Sequence, residues 1–205
     1  MEILHHTDRA RVAAPADERA EAELARLRVQ VARLQAERAA LWWAIHHDEL
    51  TGLANRRLLN TVGPALLRNG GRCAVLMLDL NRFKQINDRY GHAVGDEVLC
   101  TVAGRLSRCL VDDMVVRLSG DEFAAVLTES SLSEPHHDWP ALVEAIAETV
   151  AQPMAVADNQ LVVNASIGVA TSDGGHDTLA DLVRRADLAM YRAKSNRYRS
   201  YVAWD

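Results

Sequence analysis

Lysine is nearly missing from this sequence. Its 205 residues include 23 cationic side chains, and only Lys84 and Lys194 among them are lysine. Genomic base composition accounts for the arginine excess but not for the two positions that stayed lysine. Cysteine is also sparse. Cys73, Cys100 and Cys109 are an odd number with no CxxC spacing, so neither a disulfide framework nor a zinc site is indicated. Two of the three fall in apolar or helical patterns and read as small core residues, consistent with a reducing cytoplasm. No apolar run approaches the ~18 residues of a membrane span. The opening Met1-Glu2-Ile3-Leu4-His5-His6 lacks the basic and apolar regions of a signal peptide. A net charge of −5 supplies no global basic field, so neither nucleic acid nor a membrane surface is expected as a partner.

What remains is globular in composition, with 49% hydrophobic and 25% charged residues. The length fits one domain with a short appendage, and it is enough to bury a sizeable core. Residues 1–17 are rich in Ala, Arg and acids, show no apolar period, and read as a mobile tail. Over residues 18–45, Leu24, Leu27, Val31, Leu34, Leu41 and Ile45 follow alternating 3-4 spacing, interrupted only by Arg38. This is a heptad seam, which predicts a parallel coiled-coil dimer. The other reading is a single amphipathic helix packed on its own domain. So short a coil is expected to be marginal and switchable. Residues 46–205 change character, with strand and helix patterns alternating.

In that region Cys73–Leu80 is an apolar run ending at an acid, which reads as a buried central strand. Ala93–Leu110 has a helical period. Met114–Leu118 and Phe123–Leu127 read as a hairpin about a tight SGDE turn. Trp139–Val150 reads as helix, Ala155–Val156 and Leu161–Ala170 as strands about Asp158-Asn159, Thr178–Ser195 as helix, and Tyr198–Trp204 as a last strand. The mixture predicts an α+β fold with helices on one sheet. His46-His47 and His136-His137 are adjacent pairs, and neighbours on a helix point different ways, so they read as surface or linker residues.

Asp79 ends the central strand, while Asp121 and Glu122 occupy the hairpin turn. If the strands are neighbours, three carboxylates meet at one sheet edge and repel one another unless a cation neutralises them. Oxygen-only ligands suit Mg²⁺ or Mn²⁺. The plainer alternative is acids solvated at a hairpin tip. The turn after Asp79 frees backbone N–H groups near Lys84, an arrangement suited to phosphate. Asn87 and Asp96 form an amide–carboxylate pair that matches the guanine edge. Taken separately, they read as an ordinary turn and a helix N-cap.

Together these segments carry a resemblance. Asp48-Glu49-Leu50-Thr51-Gly52-Leu53-Ala54-Asn55-Arg56-Arg57 matches DxLTGLxNRR. Asp79–Asp88 with Gly91–Asp96 matches DxDxFKxIND…GHxxGD, and Arg117–Phe123 matches RxGGDEF. Ser166–Ala170 matches SIGVA, and Ala186–Lys194 matches ADxAMYxAK. From Asp48 to the C-terminus the chain resembles the GGDEF family of diguanylate cyclases. The resemblance implies a palm-like, ferredoxin-like nucleotide-cyclase fold, a central mostly antiparallel sheet with flanking helices. It implies condensation of two GTP into cyclic di-GMP and two pyrophosphates by an antiparallel pair of half-sites, with two Mg²⁺ (or Mn²⁺) per active site. Asp79, the Leu80 carbonyl, Asp121 and Glu122 would hold metal, or Glu122 would assist deprotonation of the 3′-hydroxyl. Asn87 and Asp96 would read guanine in a pocket lined by Leu50 and Leu99. The Arg82-Phe83-Lys84 backbone, the Lys84 side chain and Lys194 would hold phosphates, and Ser119 and Gly120 would pass beneath the nucleotide.

The sequence departs from the family pattern in four places. Ser119 replaces the first signature Gly, which costs something if that position needs positive φ. Asn81 replaces the second Asp of DxD. After Lys194, Ser195-Asn196-Arg197-Tyr198 replaces xxGRN, so either Arg197 serves the phosphate or Tyr198 stands in the arginine's place. Leu110 stands where the RxxD product-inhibition motif has its Arg, and the motif's Asp is kept as Asp113. A leucine makes none of arginine's bidentate contacts, so inhibition through that motif is not expected. Ser119 and the altered tail leave open a degenerate domain that binds GTP or a protein without turnover.

Overall fold

The computed structural model describes residues 16–68, 71–129, 138–172, 177–195 and 201–204. Most of the expected tail, along with His136-His137 and Arg197-Tyr198, lies outside them. The described residues divide into two units, with the boundary between Trp43 and Ala44.

The first unit is a helix. Helix α1 runs Ala16–His46, so it begins inside the stretch expected as tail and covers the predicted heptads. Asp17 and Glu18 occupy its first turn, where carboxylates favour the helix dipole. The seam side chains Leu24, Leu27, Val31, Leu34 and Leu41 are all exposed in the single chain.

The second unit is built on a six-stranded sheet. Its strands are β1 (Ala54–Asn55), β2 (Cys73–Leu80), β3 (Met114–Ser119), β4 (Glu122–Thr128), β7 (Ala165–Ser172) and β8 (Tyr201–Trp204), in the spatial order β1-β3-β4-β2-β7-β8. Pairings β3–β4, β4–β2 and β2–β7 are antiparallel, while the edge strands β1 and β8 pair in parallel. Helices α2 (Arg56–Arg68), α3 (Phe83–Tyr90), α4 (His92–Cys109), α5 (Trp139–Ala151) and α6 (Leu179–Ser195) flank the sheet. A separate hairpin, β5 (Met154–Val156) with β6 (Asn159–Leu161), completes the unit. This is the expected α+β fold. The helices cover both faces of this one sheet.

Every residue of β2 is buried. Its side chains alternate between two cores, as the period of a strand requires. Ala74, Leu76, Leu78 and Leu80 join Val98, Val102 and Ile146 from α4 and α5. Cys73, Val75 and Met77 join Leu58, Leu182 and Met190 from α2 and α6. Fully burying each such side chain contributes about 1.5–3 kcal/mol. Two-sided burial explains why the segment reads as a continuous apolar run and not as an alternating one.

Three expectations need correction. Leu161–Ala170 is not one strand: β6 stops at Leu161 and β7 starts at Ala165. Helices α2 and α3 were not among the expected elements, yet α2 runs through Pro64 and packs Leu58, Leu59, Val62 and Leu66 on the core, while α3 has only eight residues. Of the cysteines, only Cys73 is buried, while Cys100 and Cys109 are exposed.

Local chemistry fixes the helix ends. Asn55 Oδ1 accepts from the Arg57 and Leu58 N–H groups at the start of α2, and its Nδ2 donates to the Ile45 carbonyl at 2.8 Å. Asp138 caps α5 by accepting from Ala141 N–H at 2.8 Å. Before α6, Thr178 and Asp181 exchange bonds in a capping box. Buried Arg105 on α4 donates to the carbonyls of Val150, Gln152 and Pro153 at 2.7–2.8 Å, closing the end of α5.

Candidate active site

The antiparallel register of β2 and β4 sets Asp79 opposite Glu122. On its other side Asp79 faces Ser166 of β7. Asp121 lies in the β3–β4 turn, whose carbonyl accepts from Leu80 N–H at 3.2 Å. The three expected acids and Leu80 therefore gather at one end of the sheet. Asp79 continues the Met77 side of β2, which is the face covered by α6. Its side chain is 10% exposed.

Lys194 comes from the last turn of α6. Its Nζ donates to both Asp79 oxygens, at 2.9 and 3.0 Å. Gly168 makes this approach possible. A Cβ at Gly168 would run into the backbone of α6 at Ala186 and Met190, so the helix sits directly on β7 through Ala186, Ala189 and Ala193. The Asp79 hydrogen bond pushes the Lys194 ammonium up from its ordinary pKa, against a smaller downward push from burial. Burial pushes the Asp121 carboxyl up, and repulsion from Asp79 and Glu122 adds to this, while a backbone hydrogen bond and Lys194 push the other way without cancelling the rise.

The hairpin tip is pinned. Arg117 donates from Nε and Nη2 to the Gly120 carbonyl at 3.0 and 2.9 Å, and from Nη1 to Asp48 Oδ1 at 2.8 Å. Asp48 also accepts from Thr51 N–H and Oγ1. Burial raises the Asp48 carboxyl, but the Thr51 and Arg117 bonds outweigh it and hold the group below the usual carboxylate range. The left-handed residue of the tip is Gly120, φ 47°, and not Ser119. Ser119 belongs to β3 and donates from Oγ to Glu122 Oε2 at 3.0 Å. Its serine therefore carries no backbone strain.

Beyond β2 the chain turns through Arg82 in the left-handed region, φ 61°. A non-glycine residue held there costs on the order of 1–3 kcal/mol. Lys84 follows on the first turn of α3, exposed, and makes no ion pair or hydrogen bond among the described residues. The Phe83 side chain is buried, which leaves its backbone facing the turn. Asn81 accepts at Oδ1 from the buried Ser166 hydroxyl at 2.7 Å. In place of the second DxD acid, the chain thus carries a structural hydrogen bond.

The expected guanine readers sit on α3 and α4. Asn87 Oδ1 is buried without a hydrogen-bond partner, against Gly95 at the start of α4. A buried amide oxygen left unpaired is costly, and a ligand donor would relieve it. Asp96 is exposed on the next residue. Leu50 is 37% exposed, and its carbonyl accepts from Cys100 Sγ of α4 at 3.3 Å. Leu99 is buried within the core. A cavity of about 1150 Å³ opens on the other face of the sheet, between α2 and α6, with Arg56, Met77, Leu179 and Arg184 among its lining and Glu122 at its edge. It is distinct from the Asn87–Asp96 side.

Sequence reasoning gave no role to Arg117, Asp48 or Ser166, although all three sit inside the motifs that carry the resemblance. Among the described residues no three acids, cysteines or histidines are drawn into a ready-made metal cage. The donor set nevertheless fits a hard divalent cation. It consists of carboxylate oxygens only, with charge in excess of its one bonded ammonium.

Comparison with known proteins agrees with this geometry. The model of the diguanylate cyclase GGDEF domain matches residues 45–200, and the chain belongs to that family. Diguanylate cyclase TpbB of Pseudomonas aeruginosa is 40% identical over 169 residues, covering 80% of this chain and 38% of TpbB. The chain thus spans well under half the length of that relative. A crystal structure of the coiled coil and GGDEF domain of DgcB from Caulobacter crescentus, in complex with c-di-GMP, superposes with a TM-score of 0.76 at 25% identity, covering 90% of this chain and 99% of that one. Diguanylate cyclase SiaD of Pseudomonas aeruginosa, solved with its activator SiaC, is 32% identical with a TM-score of 0.66, covering 87% of this chain and 72% of SiaD.

Proposed function

We propose that this chain condenses two GTP into cyclic di-GMP and two pyrophosphates, working as a homodimer joined by α1. The observation that carries the reading is the register that sets Asp79 beside Glu122 and the Asp121 turn. Each subunit would hold one GTP, and the two half-sites would face each other antiparallel. Each 3′-hydroxyl then attacks the partner nucleotide's α-phosphorus, forming a P–O bond as the bond to pyrophosphate breaks.

Asp79, Asp121, Glu122 and the Leu80 carbonyl would hold two Mg²⁺ (or Mn²⁺) ions, whose chemistry is to stabilise charge on the attacking and leaving oxygens. Positioning and charge stabilisation dominate phosphoryl transfer. The Arg82–Lys84 backbone, Lys84 and Lys194 bind the triphosphate. Asn87 and Asp96 hold the base, with Leu50 beside it. Ser119 engages one Glu122 oxygen, which leaves the other able to accept the 3′-hydroxyl proton. The role of Arg197 rests on the resemblance alone.

Product inhibition through the RxxD position is not expected. Leu110 there is buried, and Asp113 accepts from Thr128 N–H at 3.0 Å. The assay is GTP turnover by the full chain with Mg²⁺, following cyclic di-GMP by chromatography. We expect product, an initial rate unchanged by added cyclic di-GMP, and a loss of roughly a hundredfold or more in Asp79→Asn or Asp121→Asn. A folded wild-type dimer that makes no cyclic di-GMP refutes the reading. Tight GTP binding without turnover would identify a binding module instead.

A further inference from the structure

Lys194 takes both oxygens of the carboxylate on which the proposed metal site depends. Asp79 is held on the central strand and is nearly buried, whereas the Lys194 side chain is 51% exposed. The acid cannot leave, but the ammonium can. Lysine is suited to that part. It is a compact point charge on a flexible four-carbon stem, without the planar fork that fixes arginine on a carboxylate. Lys84, the chain's other lysine, bonds to no acid among the described residues, so the two lysines are not equivalent before substrate arrives.

We propose that Lys194 is a resident counter-ion of Asp79 that holds divalent metal off the empty site, and that it leaves Asp79 when the triphosphate arrives. This rests on the functional reading above. Three carboxylates at one sheet edge need a cation when no substrate is bound, and Lys194 supplies one charge. An ammonium bonded to both Asp79 oxygens competes directly with a metal for the same lone pairs. A triphosphate offers Lys194 an alternative anion, so its binding frees Asp79. Metal and nucleotide then favour each other's binding, a coupling that is reciprocal by linkage. The free protein would bind metal weakly, and the site would assemble with its substrate.

The test is Mn²⁺ binding to the full-length, nucleotide-free protein, read by electron paramagnetic resonance of the free ion. Lys194→Met should bind Mn²⁺ at least tenfold more tightly than wild type. Lys194→Arg, which keeps the charge, should show no gain. Lys84→Met, which removes an equal charge that is bonded to no acid among the described residues, should gain less than threefold. Adding Asp79→Asn to Lys194→Met should abolish the gain. The proposal is overturned if Lys194→Met binds Mn²⁺ like wild type, if Lys84→Met gains as much, or if the gain survives Asp79→Asn. GTP turnover by wild type, measured alongside, separates the two claims. Turnover with unchanged Mn²⁺ affinity in Lys194→Met removes the counter-ion role alone, and absent turnover removes the functional reading.

Discussion

Ser119 is the residue at which the chain departs most visibly from its family, and the backbone explains why the change is tolerated. Positive φ is demanded one residue later, at Gly120. Ser119 only has to continue β3, and its hydroxyl gains a bond to Glu122. Ser119→Gly should therefore keep GTP turnover within about threefold, since it removes one hydroxyl bond and no strain. Gly120→Val should cost far more, because a β-branched residue at φ 47° is strained by about 1–2 kcal/mol before any contact with substrate. Steady-state rates of the two variants decide the point. A tenfold rise in Ser119→Gly would show that the serine impairs the site.

Among the elements, the contact between α6 and β7 matters most for the site. Gly168 lets the helix backbone lie directly on the strand, and that approach delivers Lys194 to Asp79. Gly168→Ala should overpack this contact at a cost of about 1–3 kcal/mol. In a chain of this size that lowers the melting temperature by roughly 2–4 °C per kcal/mol. An unchanged melting temperature would mean the helix has room to move. The same contact shows what was legible in advance. β2, the β3–β4 hairpin, α4, α5 and α6 were readable because their apolar patterns are long or their turn chemistry is specific. α2 was missed although Leu58, Leu59, Val62 and Leu66 form a helical apolar face, because Pro64 within it argues against helix, and α3 is only eight residues long. The acids were readable by residue type. The bond between Asp79 and Lys194 was not, because no local pattern reports a contact that depends on a missing Cβ one strand away. Arg117 was hidden for a related reason, since its partner Asp48 lies in a distant turn.

For the whole molecule, the proposed reaction makes one active site half of a reaction centre, so association would matter as much as the fold. The seam of α1 leaves Leu27, Leu34 and their neighbours exposed in the single chain, which is apolar surface suited to a second copy. Leu27→Lys with Leu34→Lys should give a monomer by sedimentation and at least a tenfold lower activity per mole at nanomolar protein. Wild-type specific activity at that dilution would count against the coil. No helix among the described residues is long and apolar enough to cross a membrane.

The ion pair at the site joins residues 115 positions apart, and this bears on how the protein is made. The strand carrying Asp79 emerges from the ribosome well before its partner β7 and the helix bearing Lys194. Long-range pairing of this kind is slow to form. A nascent chain that has reached only α5 holds the acids on an unfinished sheet. The proposed nucleotide chemistry would therefore wait until α6 has been made, and a chain cut short before α6 would be silent and not unregulated.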